Sequence, residues 1–406
     1  MAQVIYKDKL GRMFTFDASK GQKLSDVLYS TKIPRNSVTA RKGNKIVTED
    51  IILQEDDIIY LEMNRGYDLV HIMLMETEKH ETQNPIYTKP ILWFKNGNVH
   101  RIEKQFNEES LAHYIETQLA NTLITDKMIE ENDHIVLGFS GGRDSTAFLV
   151  ARQKILNKLP NHKITNVTLR GLPDWDDETA FGYTKELSNK FGIEQYVVEP
   201  EDIQQEFNLK APISEVLDEL LHGPDAMHVI WIGHHMIRHM LRRAAERLNA
   251  NKVALALNEE DCLATVLSCY STGYLTGAMP VRRIGNIDYI YPLWLFPKKE
   301  LNLYLYSEAE HLTKQGPPSR FNVGPALRHF YYAMTDYMQD IWPGIEHHFY
   351  HGFRNLQKLW NDKITFSECK NCGGTLLNQI GYEPPELCDV CQLFEEYGAI
   401  DYHKKK

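Results

Sequence analysis

The amino-acid sequence predicts an α/β protein built on a parallel sheet, with a small strand-rich unit before it and a cysteine module after it. Three observations carry that expectation. First, Ile135-Val136-Leu137-Gly138-Phe139, Thr165 to Leu169, Glu194 to Val198 and Lys252 to Leu257 read as short buried strands, with helices fitting at 146–158, 176–191 and 234–249. Strands and helices that alternate in this way form a parallel sheet covered on both faces. Second, residues 1 to about 64 hold short β-patterned runs around a single amphipathic helix. Third, two Cys-x-x-Cys pairs, Cys369/Cys372 and Cys388/Cys391, lie near the end.

Bulk composition sets the class. A chain of 406 residues, 43% hydrophobic and 25% charged, is ordinary for a globular protein of two or three domains. Its formal net charge of −10 argues against a broadly basic nucleic-acid coat, although a local basic patch could still bind RNA. No apolar run approaches the ~20 residues that span a bilayer. The start MAQVIYKDKL lacks a basic-then-apolar signal layout. A cytoplasmic location without membrane contact is therefore expected. Four of six cysteines in CxxC pairs read as metal ligands in a reducing compartment rather than a disulfide framework.

In the first unit, Val4-Ile5-Tyr6 and Met13-Phe14-Thr15-Phe16 flank a hairpin turn at Lys9 to Arg12. Leu24 to Tyr29 gives a helix that ends near Ile33-Pro34, and Val38 to Arg41, Lys45 to Val47 and Ile58 to Leu61 add strands. Residues 1–66 are thus expected to be a β-grasp domain, in an order that resembles ubiquitin-like sulfur carriers. Such carriers end in a free Gly-Gly. Here the chain runs on through Glu62 to Asp68 without one, so a docking or specificity module for a partner protein is the better reading. Residues 67–130 read as a linker and lead-in helix: His71 to Met75 and Ile91 to Phe94 are strand candidates. Asn107-Glu108-Glu109-Ser110 opens a helix with acidic residues at its positive end.

Ser140-Gly141-Gly142-Arg143-Asp144-Ser145 follows the Ile135 strand at once. A strand end, two glycines and a helix start gather backbone N–H groups and a positive helix end at one point, which is an anion site. Two serines and an arginine add donors. A bare Gly-Gly turn is more often punctuation, but the full string in this setting favours phosphate. It resembles the SGGxDS signature of the PP-loop (N-type) ATP pyrophosphatases and is not a Walker A loop, since GxxxxGK[ST] is absent. The resemblance implies an adenine nucleotide alpha hydrolase-like core, over residues 131–364, that binds ATP, adenylates a substrate oxygen and releases pyrophosphate. Arg143 stands where that family more often has Lys, keeping the charge and adding a planar fork.

Ligands in open α/β sheets sit beyond the carboxyl ends of the strands, so Ser140, Leu169 to Gly171 and Asn258 are expected to converge. Asn258-Glu259-Glu260-Asp261-Cys262-Leu263-Ala264-Thr265 resembles the GHNxDDxxxT segment of the PP-loop tRNA thiolases, with Ala256 and Leu257 in place of Gly-His and Glu260 in place of the first Asp. The resemblance implies that Ser140, Gly141, Gly142, Arg143 and Ser145 hold phosphate, that Leu169 and Asn258 help bind the nucleotide, and that Asp144 and Asp261 hold Mg²⁺. Asp144, Asp261 and Arg143 are the catalytic candidates. Tyr289 to Trp294 followed by Pro297-Lys298-Lys299-Glu300-Leu301 is similar to the family's closing turn into a helix, with Tyr289 where its pattern has Arg. Arg354 and Lys358 are surface candidates without a role.

Cys369-x₂-Cys372-x₁₅-Cys388-x₂-Cys391 is a zinc-ribbon signature, four thiolates at a spacing that closes around Zn²⁺, expected over residues 365–396. With the loop and the Asn258 segment, it makes residues 91 to 396 resemble the tRNA 2-thiouridine synthetase branch. The departure that bears on the chemistry is in the core cysteines. The branch carries a core CxxC and a later cysteine that hold an iron–sulfur cluster or active thiols. The expected CxxC falls near Ile230 to Gly233, where there is no cysteine, and none lies between Tyr270 and Glu368. Three thiolates hold a cluster, and the core offers only Cys262 and Cys269. Those two could carry a persulfide or pack as small hydrophobes. His235 and His239, at i, i+4, could share a metal, though histidines at such spacing are more often solvated or capping.

Three functions remain open on the sequence. One is ATP-dependent adenylation followed by nucleophilic transfer, with sulfur delivered to tRNA as the resemblance implies. Another is amide-type ligation on a small-molecule or protein acceptor. The third is a non-catalytic nucleotide-binding protein that docks a partner.

Overall fold

The structure, a computed structural model, describes residues 1–7, 11–64, 77–96, 98–173, 175, 178–272, 281–284, 286–309, 321, 327–361, 365–378, 383 and 385–402. The chain forms two compact units, one of residues 1–80, 90–104 and 340–343, the other of residues 81–89, 105–339 and 344–406.

In the first unit, β1 (Ala2–Lys7), β2 (Met13–Ala18), α1 (Leu24–Ser30), β3 (Val38–Lys42), β4 (Lys45–Val47) and β5 (Ile58–Met63) follow the predicted order. The sheet runs β2-β1-β5-β3-β4, with β1 and β5 parallel at its centre. Alternation explains it: Ala2, Val4 and Tyr6 of β1 face a core shared with Ile59, Leu61 and the Leu24, Val27 and Leu28 stripe of α1. Next come β6 (Thr77–His80), β7 (Tyr87–Lys95) and β8 (Asn98–Phe106), a sheet of order β6-β8-β7. The Ile91 strand lies within β7, whereas His71 to Met75 fall outside the described residues.

The second unit begins its helices with α2 (Glu108–Thr125), where Asn107 Oδ1 accepts the Ser110 N–H at 2.9 Å. It continues β9 (Asp133–Gly138), α3 (Arg143–Lys154), β10 (His162–Leu169), α4 (Glu178–Lys190), β11 (Glu194–Val198), α5 (Pro200–Glu206), α6 (Ile213–His222), α7 (Val229–Arg247), β12 (Lys252–Leu255), α8 (Glu259–Thr272), β13 (Val281–Ile284), β14 (Ile287–Ile290), α9 (Lys298–Ala309), α10 (Leu327–Ile341), α11 (Ile345–Asn361), β15 (Thr365–Glu368), β16 (Thr375–Asn378) and α12 (Asp389–Glu396). The sheet has order β11-β10-β9-β12-β14-β13, parallel except for β13. Val136, Leu137, Val253 and Ala254 in its central strands are fully buried. Gly138 closes β9 because α7 lies against it: a Cβ there would come within 2.9 Å of Leu241 Cδ1. Among the described residues, no helix is long and apolar enough to cross a membrane.

Two boundaries move from the sequence expectation. The helix after the glycines starts at Arg143 rather than Thr146, since Gly142 already has extended backbone (φ −66°, ψ 162°) and accepts the first helical N–H from Thr146 at 3.0 Å. The third core helix starts at Val229 rather than His234, because Val229, Ile230 and Ile232 are buried as its first turn.

Candidate active site

Strand order reverses between β9 and β12, which opens a crevice at their carboxyl ends. Two segments enter it. The first is the glycine loop. Phe139 N–H donates to Val167 O and Thr168 Oγ1 donates to Phe139 O, both at 2.9 Å, fixing the loop to β10. Gly141 then takes φ +76°, a conformation that side chains with a Cβ rarely adopt. Gly142 N–H donates to Ser140 Oγ at 3.2 Å, and Ser145 Oγ donates to Gly142 O at 3.1 Å. The first turn of α3 thus presents N–H groups that a helix cannot satisfy internally.

The second segment follows β12. Asn258, 1% exposed, donates from Nδ2 to Asp144 Oδ2 at 3.0 Å and accepts the Asp261 N–H on Oδ1 at 2.9 Å. One side chain therefore links the Asp144 carboxylate to the backbone of Asp261, whose own Oδ2 accepts the Asn258 backbone N–H at 3.4 Å. Asp261 Oδ1 also accepts the Tyr332 hydroxyl at 2.6 Å, and its carbonyl accepts the Thr265 hydroxyl at 2.7 Å. From α9, Lys298 Nζ stands 3.8 Å from Asp144 Oδ2, and its backbone N–H donates to both Glu260 carboxylate oxygens, at 2.9 and 3.1 Å.

The electrostatics follow from burial. Burial raises the Asp144 carboxyl and Asp261 adds to this, while Lys298, the Asn258 amide and Arg143 pull it back down. Burial also pushes Glu260 up to about 7. Asp144 Oδ1 and Arg143 Nε are buried with no hydrogen-bond partner in the protein. The place is rich in unspent polar capacity, the property a ligand site needs. Leu169 ends β10 and is 1% exposed as a whole residue, so it offers almost no surface to a ligand. Neither Lys298 nor Tyr332 was assigned a site role from sequence. Lys298 carried a signal, its place in the proline-led turn into α9; Tyr332 carried none, standing 71 residues from Asp261.

The other candidates are placed as follows. Cys262 is fully buried, and burial drives its thiol far up; Cys269 is 4% exposed. His235 packs on the Trp231 ring at 4.2 Å and is pushed down to about 3 by burial. His239 Nε2 lies 3.0 Å from Glu206 Oε1, so the two histidines are engaged separately. Among the described residues, the four ribbon cysteines are the one group arranged to hold a metal, with all Sγ atoms within 4.8 Å of one another. Cys372 and Cys388 Sγ are 3.8 Å apart, the edge of a tetrahedron with metal–sulfur bonds of about 2.3 Å. Backbone N–H groups of Gly374 and Cys388 donate to Cys372 and Cys369 at 3.3 Å, and Asn371 Nδ2 donates to Cys391 at 3.3 Å. Asn371 Nδ2 also donates to Phe207 O at 2.8 Å, and Arg242 donates to Gly373 O, anchoring the module on the second unit.

No family model matches the chain. A probable sulfurtransferase of Methanocaldococcus jannaschii is 23% identical over 308 residues, covering 73% of this chain and 82% of that protein. A tRNA-cytidine(32) 2-sulfurtransferase of Polynucleobacter necessarius is 27% identical over 213 residues, 51% of this chain and 64% of its own length. Among solved structures, the U34-tRNA thiolase NcsA of Methanococcus maripaludis, with its [4Fe-4S] cluster, superposes with a TM-score of 0.55 at 19% identity, covering 73% of this chain and 93% of that one. The PP-loop resemblance holds. The chain is similar to sulfurtransferases, and its α/β parallel-sheet fold is like that of the thiolase.

Proposed function

We propose that the chain adenylates a carbonyl-type oxygen with ATP, releases pyrophosphate and passes the activated carbon to a nucleophile, with thiolation of a tRNA base as the leading reaction. The observation that carries this reading is the 3.0 Å bond from Asn258 to Asp144, which ties the glycine loop to the second strand end at the sheet's reversal point. Ser140, Gly141, Gly142 and Ser145 would cradle the phosphates, and Arg143 and Lys298 would stabilise the charge that develops on the departing pyrophosphate. Asp144 and Asp261 offer the hard oxygens that suit Mg²⁺, which when bound neutralises phosphate charge. The residues after Leu169 would lie by the adenosine. The relatives' names supply the sulfurtransferase and tRNA part of this reading.

The chain's own cysteines are poor sulfur carriers in this scheme. Cys262 is buried with its thiol driven up, and only a thiolate attacks. Sulfur would therefore come from a separate donor. The same lack of core thiols favours the second reading, an amide-forming ligase that uses an amine. The ribbon cysteines fit a single tetrahedral ion, Zn²⁺ by donor set and spacing; their crowding suits one ion better than a cluster that places each cysteine on its own iron. Residues 1–66 are read as a ubiquitin-like β-grasp domain that docks a partner, supported by the β2-β1-β5-β3-β4 sheet packed on α1. We assign 67–130 to the linker and lead-in helix, 131–364 to the catalytic domain and 365–396 to the zinc ribbon.

Mass spectrometry of nucleosides from tRNA incubated with the protein, ATP, Mg²⁺ and sulfide tests the reading. A new thiolated nucleoside that Asp144→Ala abolishes is expected. ATP consumption with an amide product instead would select the ligase.

A further inference from the structure

The basic residues near the end of the second unit, unassigned from sequence, are organised by α11. Its 12-residue stretch His347 to Lys358 contains no Asp or Glu, in a chain with a net charge of −10. At helical spacing, Glu346, Tyr350 and Phe353 turn inward, and His347, His351, Arg354 and Lys358 are exposed together in the row adjoining them, with His348 exposed one step further round. The inward face seats on the helix that carries Asp261. The Tyr350 hydroxyl donates to Glu259 O at 3.0 Å, the Phe353 ring meets Tyr270 edge-on at 5.8 Å, and Tyr350 meets Trp294 at 4.7 Å. The carboxylates beside the stripe leave much of it open: Asp126 stands 3.8 Å from Arg354 and Glu346 3.8 Å from His347, while those two basic side chains remain 50% and 60% exposed.

We propose that this face of α11 is a phosphate track that seats the backbone of an RNA acceptor beside the adenylation site. The inference rests on the tRNA reading above and adds where the RNA lies. A cationic row on a rigid helix, packed directly on the site's own helix, suits a polyanion: phosphate contacts position a nucleic acid without reading its bases. A polyanion whose charges recur along its length matches a row that extends from His347 to Lys358.

The test is fluorescence-monitored binding of folded bulk tRNA to the full chain across a salt series, alongside ATP binding. For Arg354→Gln/Lys358→Gln we expect affinity near 0.1 M salt to fall about tenfold or more and the magnitude of the salt slope to drop by about 1.5, with ATP affinity unchanged. Arg354→Lys/Lys358→Arg should restore both, which separates charge from folding damage. Lys158→Gln/Lys163→Gln, at the amino end of the sheet, should leave tRNA binding unchanged. An unchanged slope in the first variant, or an equal loss in the control pair, overturns the track and leaves the tRNA reading intact. Absence of tRNA binding by the parent overturns both, and equal retention on phosphatidylserine vesicles would show that the stripe serves a membrane surface instead.

Discussion

Single residues make the sharpest demands on this architecture. Glu300, on the first turn of α9, is fully buried, and its Oε1 takes Lys89 Nζ at 2.8 Å while Lys89 also donates to the Tyr114 hydroxyl at 2.8 Å. Removing one partner strands a buried charge, so Lys89→Met should cost about 3–5 kcal/mol in urea unfolding. Lys89→Met combined with Glu300→Gln should recover much of that loss. Glu260 makes a pH prediction. Its folded value of about 7 lies above the ordinary 4.5 because it is buried. Between those values the folded state binds more protons than the unfolded one, so this group makes stability fall as pH rises through that window. Urea midpoints at pH 5 and pH 8 should therefore differ less in Glu260→Gln than in the parent; an equal difference in the two would contradict the assignment. Asn258 was named in advance through the resemblance of its segment to GHNxDDxxxT. Tyr332 was not, since only the folded chain brings it to Asp261.

At the level of elements, the glycine loop is the stringent piece. Gly141 sits at φ +76°, where an added Cβ costs about 1–2 kcal/mol. Gly141→Ala should lower both the thermal midpoint and ATP affinity, read by calorimetry with and without ATP. The central strands were legible because they are buried on both faces and read as unbroken apolar runs. The start of α3 was not, as Arg143-Asp144-Ser145 resembles loop composition although Gly142 already caps the helix. β8, with the polar sequence NVHRIEKQF, gave no apolar run to follow. α10 and α11 escaped for a related reason: they are rich in histidine and aromatic residues that favour no one periodicity until one face is buried. The cysteine module was fully legible from spacing. On the zinc reading proposed above, Cys372→Ser should lower the metal content measured by atomic emission and loosen the β15–β16 hairpin that carries the first cysteine pair.

Across the whole molecule, the chain forms two compact units, and the second holds every site residue together with the cysteine module. The alternation of strands and helices indicated that the strand ends at Ser140, Leu169 to Gly171 and Asn258 would converge, because a parallel sheet places its ligands beyond the carboxyl ends of its strands; the reversal between β9 and β12 came from the fold. Three-dimensional packing was needed to find that Asn258 ties the Asp144 carboxylate to the Asp261 backbone and that Lys298 stands beside Asp144. Core cysteines are where the sequence departs from the branch it resembles, and activation of the acceptor is the step we propose the two share. The central claim is that activation. Pyrophosphate–ATP exchange with bulk tRNA as acceptor tests it most directly: the account predicts exchange by the parent and its loss in Asp144→Ala and Asn258→Ala, and a parent protein that binds ATP without any exchange, or an Asp144→Ala variant that exchanges as fast as the parent, would contradict it.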